Sequence, residues 1–254
     1  MLNIIPIPAL KDNYIWVLHN DLHAVIIDPG EAVPVLAYLS THTLTLTAIL
    51  CTHHHKDHTG GINELLQVYN VPVYGPQHEI IPCMSQRLAE GDVVEIAELN
   101  IKLNVIDIPG HTQGHIAFLG LGSVFCGDTL FGCGCGKLLG GTAVQLLHAL
   151  RRLAALPDET KVYCGHEYTA ANIRFALACE PDNALLKQRQ IAVAAQRVAG
   201  QPTLPSTIAI EKSTNPFLRC TKPEVIATVQ RMTKITQDDE ASIFTALRSW
   251  KDRF

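Results

Sequence analysis

The sequence predicts an α+β fold, with short strands packed into sheets and covered by helices, followed by a helical subdomain. Three observations predict it. Apolar runs of strand length recur through the first two-thirds of the chain, separated by glycine- and proline-bearing turns. Stretches with helical spacing of apolar residues lie between some of those runs, as layered sheet and helix require. From about Glu180 the pattern becomes helical alone. The expected division is a mixed domain at 1–168 and a helical one at 169–254.

In order, strands are expected at 14–18, 23–27, 48–52, 72–74, 101–108, 115–119, 124–126 and 161–164, each a short apolar or β-branched run. Helices are expected at 33–40, 62–69, 143–153 and 170–179, where apolar residues recur every three to four positions. Ala184 opens one long helical pattern to Ala199, which Pro202 and Pro205 end. Thr221-Lys222-Pro223-Glu224 reads as a capping box with proline in the first turn, starting a helix through Val225, Val229 and Met232. Asp238 and Asp239 precede a last helix carrying Ile243, Phe244, Leu247 and Trp250.

Composition narrows the function classes. Hydrophobic content of 47% with 17% charged residues is that of a globular chain with a substantial core. No apolar run reaches the roughly 18–20 residues of a spanning helix, so no membrane partner is expected. A formal charge of −4 without a basic stripe argues against nucleic acid. Met1 to Pro6 lacks a basic, then apolar, leader pattern, and the eight cysteines are scattered, which fits reduced thiols and a cytoplasmic location. Cys133 and Cys135 have the wrong spacing for a C-x-x-C pair.

The stretch that carries chemistry is Cys51-Thr52-His53-His54-His55-Lys56-Asp57-His58. It follows the apolar run 44–50 and precedes a helical pattern at Ile62, Leu65, Leu66 and Tyr69, so it occupies a loop between strand and helix. Imidazole and carboxylate are ligands of zinc and related divalent metals. Alternate side chains of an extended segment share a face, so His53 and His55 can point together while His54 points away. Asp57 and His58 follow where the chain turns and can reach a second point, which implies two metals rather than one. His111, Asp128 and His166 each follow an apolar strand beside a glycine and complete the candidate set. His115 reads as a supporting residue. His19, His23, His42, His78 and His148 lack such settings.

This pattern resembles the metallo-β-lactamase superfamily, whose signature T-H-x-H-x-D-H matches Thr52 to His58 at every fixed position. The resemblance implies an αββα sandwich. It assigns one metal to His53, His55, His111 and Asp128, and the other to Asp57, His58, His166 and the same, bridging Asp128. Within the superfamily the chain is similar to the hydroxyacylglutathione hydrolases, the glyoxalase II family. The likeness takes in Asp12-Asn13-Tyr14, the run Gly165 to Thr169 with Asn172 and Phe175, Asn215 to Arg219, and the closing Arg248 to Phe254. One segment departs: Lys137-Leu138-Leu139-Gly140-Gly141-Thr142 keeps the family's basic residue but lacks the following aromatic and acid.

The resemblance implies hydrolysis of a glutathione thioester, S-D-lactoylglutathione, by a binuclear centre of two divalent ions, zinc first and iron or manganese also compatible. Such ions lower the pKa of a shared water and stabilise the oxyanion formed on attack. Asp57 is expected to orient the attacking group. A thiolate leaves readily, its conjugate acid having a pKa of about 8.5, so no dedicated general acid is needed. Lys137, Arg248 and Lys251 are expected to pair with glutathione carboxylates and Tyr168 to donate a hydrogen bond, with His166 beside the substrate and 169–254 as the glutathione-binding subdomain. On composition alone Arg248 and Lys251 are a solvated basic helix end; the family pattern gives them the substrate role. A monomer is expected. The rival readings are another hydrolase of this fold, such as a lactonase, a β-lactamase or a different thioesterase, a single-iron sulfur dioxygenase, and a non-catalytic metal-binding module.

Overall fold

The computed structural model describes residues 2–254, which gather into two compact units. One runs to Asp107 and takes in Gly114–Gly127; the other comprises Ile108–Gln113 and Asp128–Phe254.

In the first unit, β1 (Asn3–Ala9), β2 (Asn13–His19), β3 (His23–Ile27), β4 (Thr45–Leu50), β5 (Val73–Pro76) and β6 (Gln86–Leu88) form one sheet in that order. The first three are antiparallel and the rest parallel. Parallel neighbours need crossovers. Helix α1 (Val33–Thr41) joins β3 to β4; α2 (Lys56–Thr59) and α3 (Ile62–Val68) lie between β4 and β5. Val35 and Leu39 of α1 and Ile62 and Leu65 of α3 pack with Ile15, Val17, Ile26 and Ile49 in one core. A continuous apolar strand such as β2, buried along nearly its whole length, is what a sheet covered on both faces requires. Strands β7 (Val93–Ile96), β8 (Ile101–Asp107), β9 (Ile116–Gly120) and β10 (Ser123–Gly127) form an antiparallel run of chain neighbours.

Three results differ from expectation here. Strand β4 is Thr45–Leu50, in agreement with the apolar run 44–50 but not with the narrower bounds 48–52, so Cys51 and Thr52 belong to the ligand loop. Strand β1 was not expected, because Pro6 and Pro8 argue against a strand; it is the edge of its sheet, where missing donors are tolerated. The short strands β6 and β7 were likewise not expected.

The second unit begins with a hairpin of β11 (Leu130–Phe131) and β12 (Gly134–Cys135). Helix α4 (Ala143–Ala154) follows, then β13 (Lys161–Cys164), which pairs with the later β14 (Ser206–Thr207). The helices α5 (Thr169–Cys179), α6 (Ala184–Val198), α7 (Ile208–Thr214), α8 (Pro223–Thr233) and α9 (Glu240–Lys251) make up the rest. A capping box starts α4, with Gln145 N donating to Thr142 Oγ1 at 3.2 Å and Thr142 N to Gln145 Oε1 at 2.8 Å. The box expected at Thr221–Glu224 does not form. Lys222 is the capping position of α8 and no side chain accepts there, because Thr221 lies one residue too early to reach the first free amides. Asp239 caps α9 as expected, accepting from Ser242 N at 3.0 Å.

An aromatic cluster joins α5, the 3₁₀ turn Pro216–Leu218 and α9: Phe175 lies 4.9 Å from Trp250 and 6.1 Å from Phe217, and Phe217 lies 5.8 Å from Phe244. Among the described residues, no helix is long and apolar enough to cross a membrane.

Candidate metal centre

Candidate ligands occur in each unit. In the first, β4 delivers Cys51 and Thr52 into the interior, and the chain then turns through His53, His54 and His55 into α2, which carries Asp57 and His58. One carboxylate grips both ends of this turn. Asp28, just past β3, accepts from Thr52 N and from Thr52 Oγ1, each at 2.7 Å, and its Oδ2 lies 3.2 Å from His58 Nδ1. Gly30 makes the approach possible, since a Cβ there would lie 2.0 Å from Asp57 O.

His53 Nε2 and His55 Nδ1 stand 3.1 Å apart, and His58 Nε2 lies 3.5 Å from Asp57 Oδ2. His53 Nδ1 faces Thr52 Oγ1 at 3.1 Å, and the buried ring of His115 stacks on His53 at 4.5 Å. Asn13 Nδ2 donates to Asp57 Oδ2 at 3.1 Å and to Asp57 O at 3.2 Å. His54 points away as expected, its side chain 44% exposed and its Nδ1 2.8 Å from Glu79 Oε2.

In the second unit, one oxygen serves two histidines. Asp128 Oδ2 lies 3.5 Å from His111 Nε2 and 3.3 Å from His166 Nε2. His111 Nδ1 is 2.7 Å from the carbonyl of Lys137, which leaves Nε2 as the outward nitrogen. His166 is stacked on Tyr168 at 4.6 Å, with the planes 3° apart. All three side chains are buried.

These separations fit a divalent metal. Two ligands at about 2.05 Å on one tetrahedral ion lie about 3.3 Å apart, and the four donor pairs span 3.1 to 3.5 Å. The outer nitrogens are also held as metal-bound histidines require, His58 by a carboxylate and His111 by a backbone carbonyl. Donor atoms of Asp28, His53 and His58 also lie within 4.8 Å of one another. Asp28 serves Thr52 twice as well as His58, the contacts of a group that orients its neighbours.

The residues expected at glutathione occupy varied settings. Lys137 is exposed, and Tyr168 and Lys251 are half-buried. Arg248 is buried: its Nη1 donates to the carbonyl of Cys135 at 3.0 Å and its Nη2 to Asp252 Oδ1 at 2.8 Å. Lys251 Nζ lies 4.8 Å from the Phe175 ring centroid. Burial, reinforced by the Arg248 charge, lowers the Lys251 pKa to about 8. The sequence assigns no role to Asp28, marks Asn13 only as part of the family likeness, and gives no sign of Glu79.

Two family models together match nearly the whole chain. Residues 10–166 match the metallo-beta-lactamase superfamily, and residues 167–254 match the hydroxyacylglutathione hydrolase C-terminus. A hydroxyacylglutathione hydrolase of Nitrosomonas europaea is 52% identical over 254 residues, covering 100% of this chain and 97% of the relative. The chain belongs to the hydroxyacylglutathione hydrolase family.

A second hydroxyacylglutathione hydrolase, from Aliivibrio salmonicida, is 52% identical over 256 residues and matches along 100% of both chains. Among solved structures, ETHE1 from Myxococcus xanthus is 25% identical, with a TM-score of 0.66 over 98% of this chain and 99% of that one. TTHA1623 in a di-iron-bound form is 27% identical, with a TM-score of 0.60 over 84% of this chain and 100% of that one. The hydroxyacylglutathione hydrolase family thus places this chain in the metallo-β-lactamase fold class, mixed sheets with helices and a C-terminal helical region.

Proposed function

We propose that this chain is a binuclear metal-dependent thioester hydrolase, cleaving S-D-lactoylglutathione and related 2-hydroxyacylglutathiones to the 2-hydroxy acid and glutathione, the second step of methylglyoxal detoxification. The observation that carries the reading is full-length identity of about half to proteins of that name, on a chain whose His and Asp donors pair at metal-ligand spacing. In this reading His53, His55, His111 and Asp128 hold one ion and Asp57, His58, His166 and Asp128 the other. A single oxygen of Asp128 lying beside two histidines supports its membership of both ligand sets. Two divalent ions, zinc foremost, supply Lewis-acid polarisation and water activation when bound.

The chain's own residues do the rest. Asp57, fixed by Asn13, orients the attacking water at the thioester carbon. Asp28 and the Lys137 carbonyl keep His58 and His111 in one tautomer each, ligating through Nε2. Lys137, Arg248 and Lys251 answer the two carboxylates of glutathione, and Tyr168, stacked on His166, presents its hydroxyl to the peptide. Arg248, already committed to Cys135 and Asp252, acts mainly by its charge. The functional division falls at 168/169, a placement supported by family models that meet at 166 and 167. The reading includes a cytoplasmic monomer.

The test is hydrolysis of S-D-lactoylglutathione by purified protein, with metal analysis on the same sample. The expected result is turnover abolished by chelation and restored by zinc, iron or manganese, with about two ions per chain by the ligand count. Two bound ions without turnover on this thioester would sink the glutathione assignment and leave the centre standing.

A further inference from the structure

We propose that Glu79 is the positioning residue for the His53–His55 ligand pair, acting through the histidine between them. The inference rests on the metal-centre reading above. Glu79 lies between β5 and β6, remote in sequence from every candidate ligand, yet its side chain is only 4% exposed. Oε2 accepts from His54 N at 2.6 Å and faces His54 Nδ1 at 2.8 Å. Oε1 accepts from Gly114 N at 3.0 Å. An acidic group buried among N–H donors forms the strong, charge-assisted kind of hydrogen bond.

Gly114 is shaped for this contact. A Cβ built on it would lie 2.6 Å from Glu79 Cγ, so a larger residue would displace the carboxylate. The next residue is His115, whose ring stacks on His53 with planes 17° apart, and Ile116 N then donates to Thr52 O at 3.0 Å. One carboxylate therefore ties the middle of the ligand triplet to the segment that backs His53.

The arrangement accounts for three consecutive histidines. In an extended segment the middle side chain leaves on the face opposite its neighbours. Holding His54 by both its amide and its ring fixes the turn of backbone that aims His53 Nε2 and His55 Nδ1 to within 3.1 Å of each other. His54 is a handle and Glu79 the hand that grips it.

The experiment compares metal-loaded wild type, Glu79→Ala, Glu79→Gln and His54→Ala. It reads the rate of metal loss to a chromophoric chelator, kcat, KM and melting temperature. Removing a group that orients ligands costs about 10- to 100-fold in metal affinity or activity. Glu79→Ala is expected to release one of its two ions at least about tenfold faster, with kcat lowered and KM little changed. Glu79→Gln keeps one acceptor and should fall between; His54→Ala keeps the amide contact and should also be intermediate. Should Glu79→Ala not fold, those two variants decide the matter. A folded variant that melts lower but releases metal and turns over like wild type would overturn the positioning role. Wild type that holds no metal would remove the centre itself, and this role with it.

Discussion

Lys251 is a cation kept where cations are costly, half-buried against Phe175 and beside Arg248, with its pKa lowered to about 8. It is charged below that value and neutral above it. In the substrate role proposed for it, its pull on an anionic substrate is present at pH 7 and fades as pH rises through about 8. KM for the glutathione thioester is expected to climb between pH 7 and 9 in wild type and to lose that dependence in Lys251→Ala, in initial-rate measurements corrected for spontaneous hydrolysis. The same shift affects stability. Unfolding restores the ordinary, higher pKa, so the unfolded chain binds the extra proton between about 8 and 10.5 and Lys251 destabilises the fold less as pH rises through that window. At this scale the local motif was legible: Thr52 to His58 declared a metal site because no core needs so many ligands in one turn. Asp28 and Glu79 stayed silent because their partners lie 24 to 35 residues away along the chain, and a lone acid carries no mark of what it will meet.

The C-terminal helices meet the β11–β12 hairpin through polar side chains. Asn172 of α5 donates to Gly132 O at 3.0 Å, Asn215 donates to Gly134 O at 2.9 Å, and Glu211 of α7 accepts from Cys133 N at 2.9 Å. Glu211, with no exposed surface, also pairs with Arg189 of α6 at 2.6 Å. Removing one partner of such a pair strands the other, so Glu211→Ala is expected to lose about 3–5 kcal/mol in urea unfolding. By contrast Thr142→Ala, which breaks only the cap of α4, should cost about 1 kcal/mol. Long helices were legible because α4, α5, α6 and α9 each repeat apolar residues over three turns or more. The two-residue strands were not, since β11, β12 and β14 exist only through pairing and two residues carry no period.

Seven of the eight cysteines are buried, and none is disulfide-bonded among the described residues. Burial raises the pKa of Cys133 to about 12 and that of Cys135 to about 11, which keeps both as inert thiols at neutral pH. Cys83 alone is exposed. A thiol reagent is therefore expected to label one cysteine per folded chain, with Cys83→Ser abolishing the fast reaction and leaving turnover intact, as read by mass spectrometry and assay. The α+β plan, with a mixed portion and a helical tail, followed from the change of period near Glu180. The compact units did not: Ile108–Gln113 groups with the helical part although it is surrounded in sequence by strands, a consequence of contacts that no composition shift announces.

Strand β1 carries a last consequence. Pro6 and Pro8 are two positions apart, so the amide hydrogens they lack fall on the same side of the strand. Pairing with β2 runs unbroken from Asn3 to Ala9, which leaves that side facing outward. A second chain arriving at this border to continue the sheet would find carbonyls without alternating donors. The feature that hid the strand from a reader of the sequence also closes it to other molecules, shielding the protein from edge-to-edge aggregation as it accumulates.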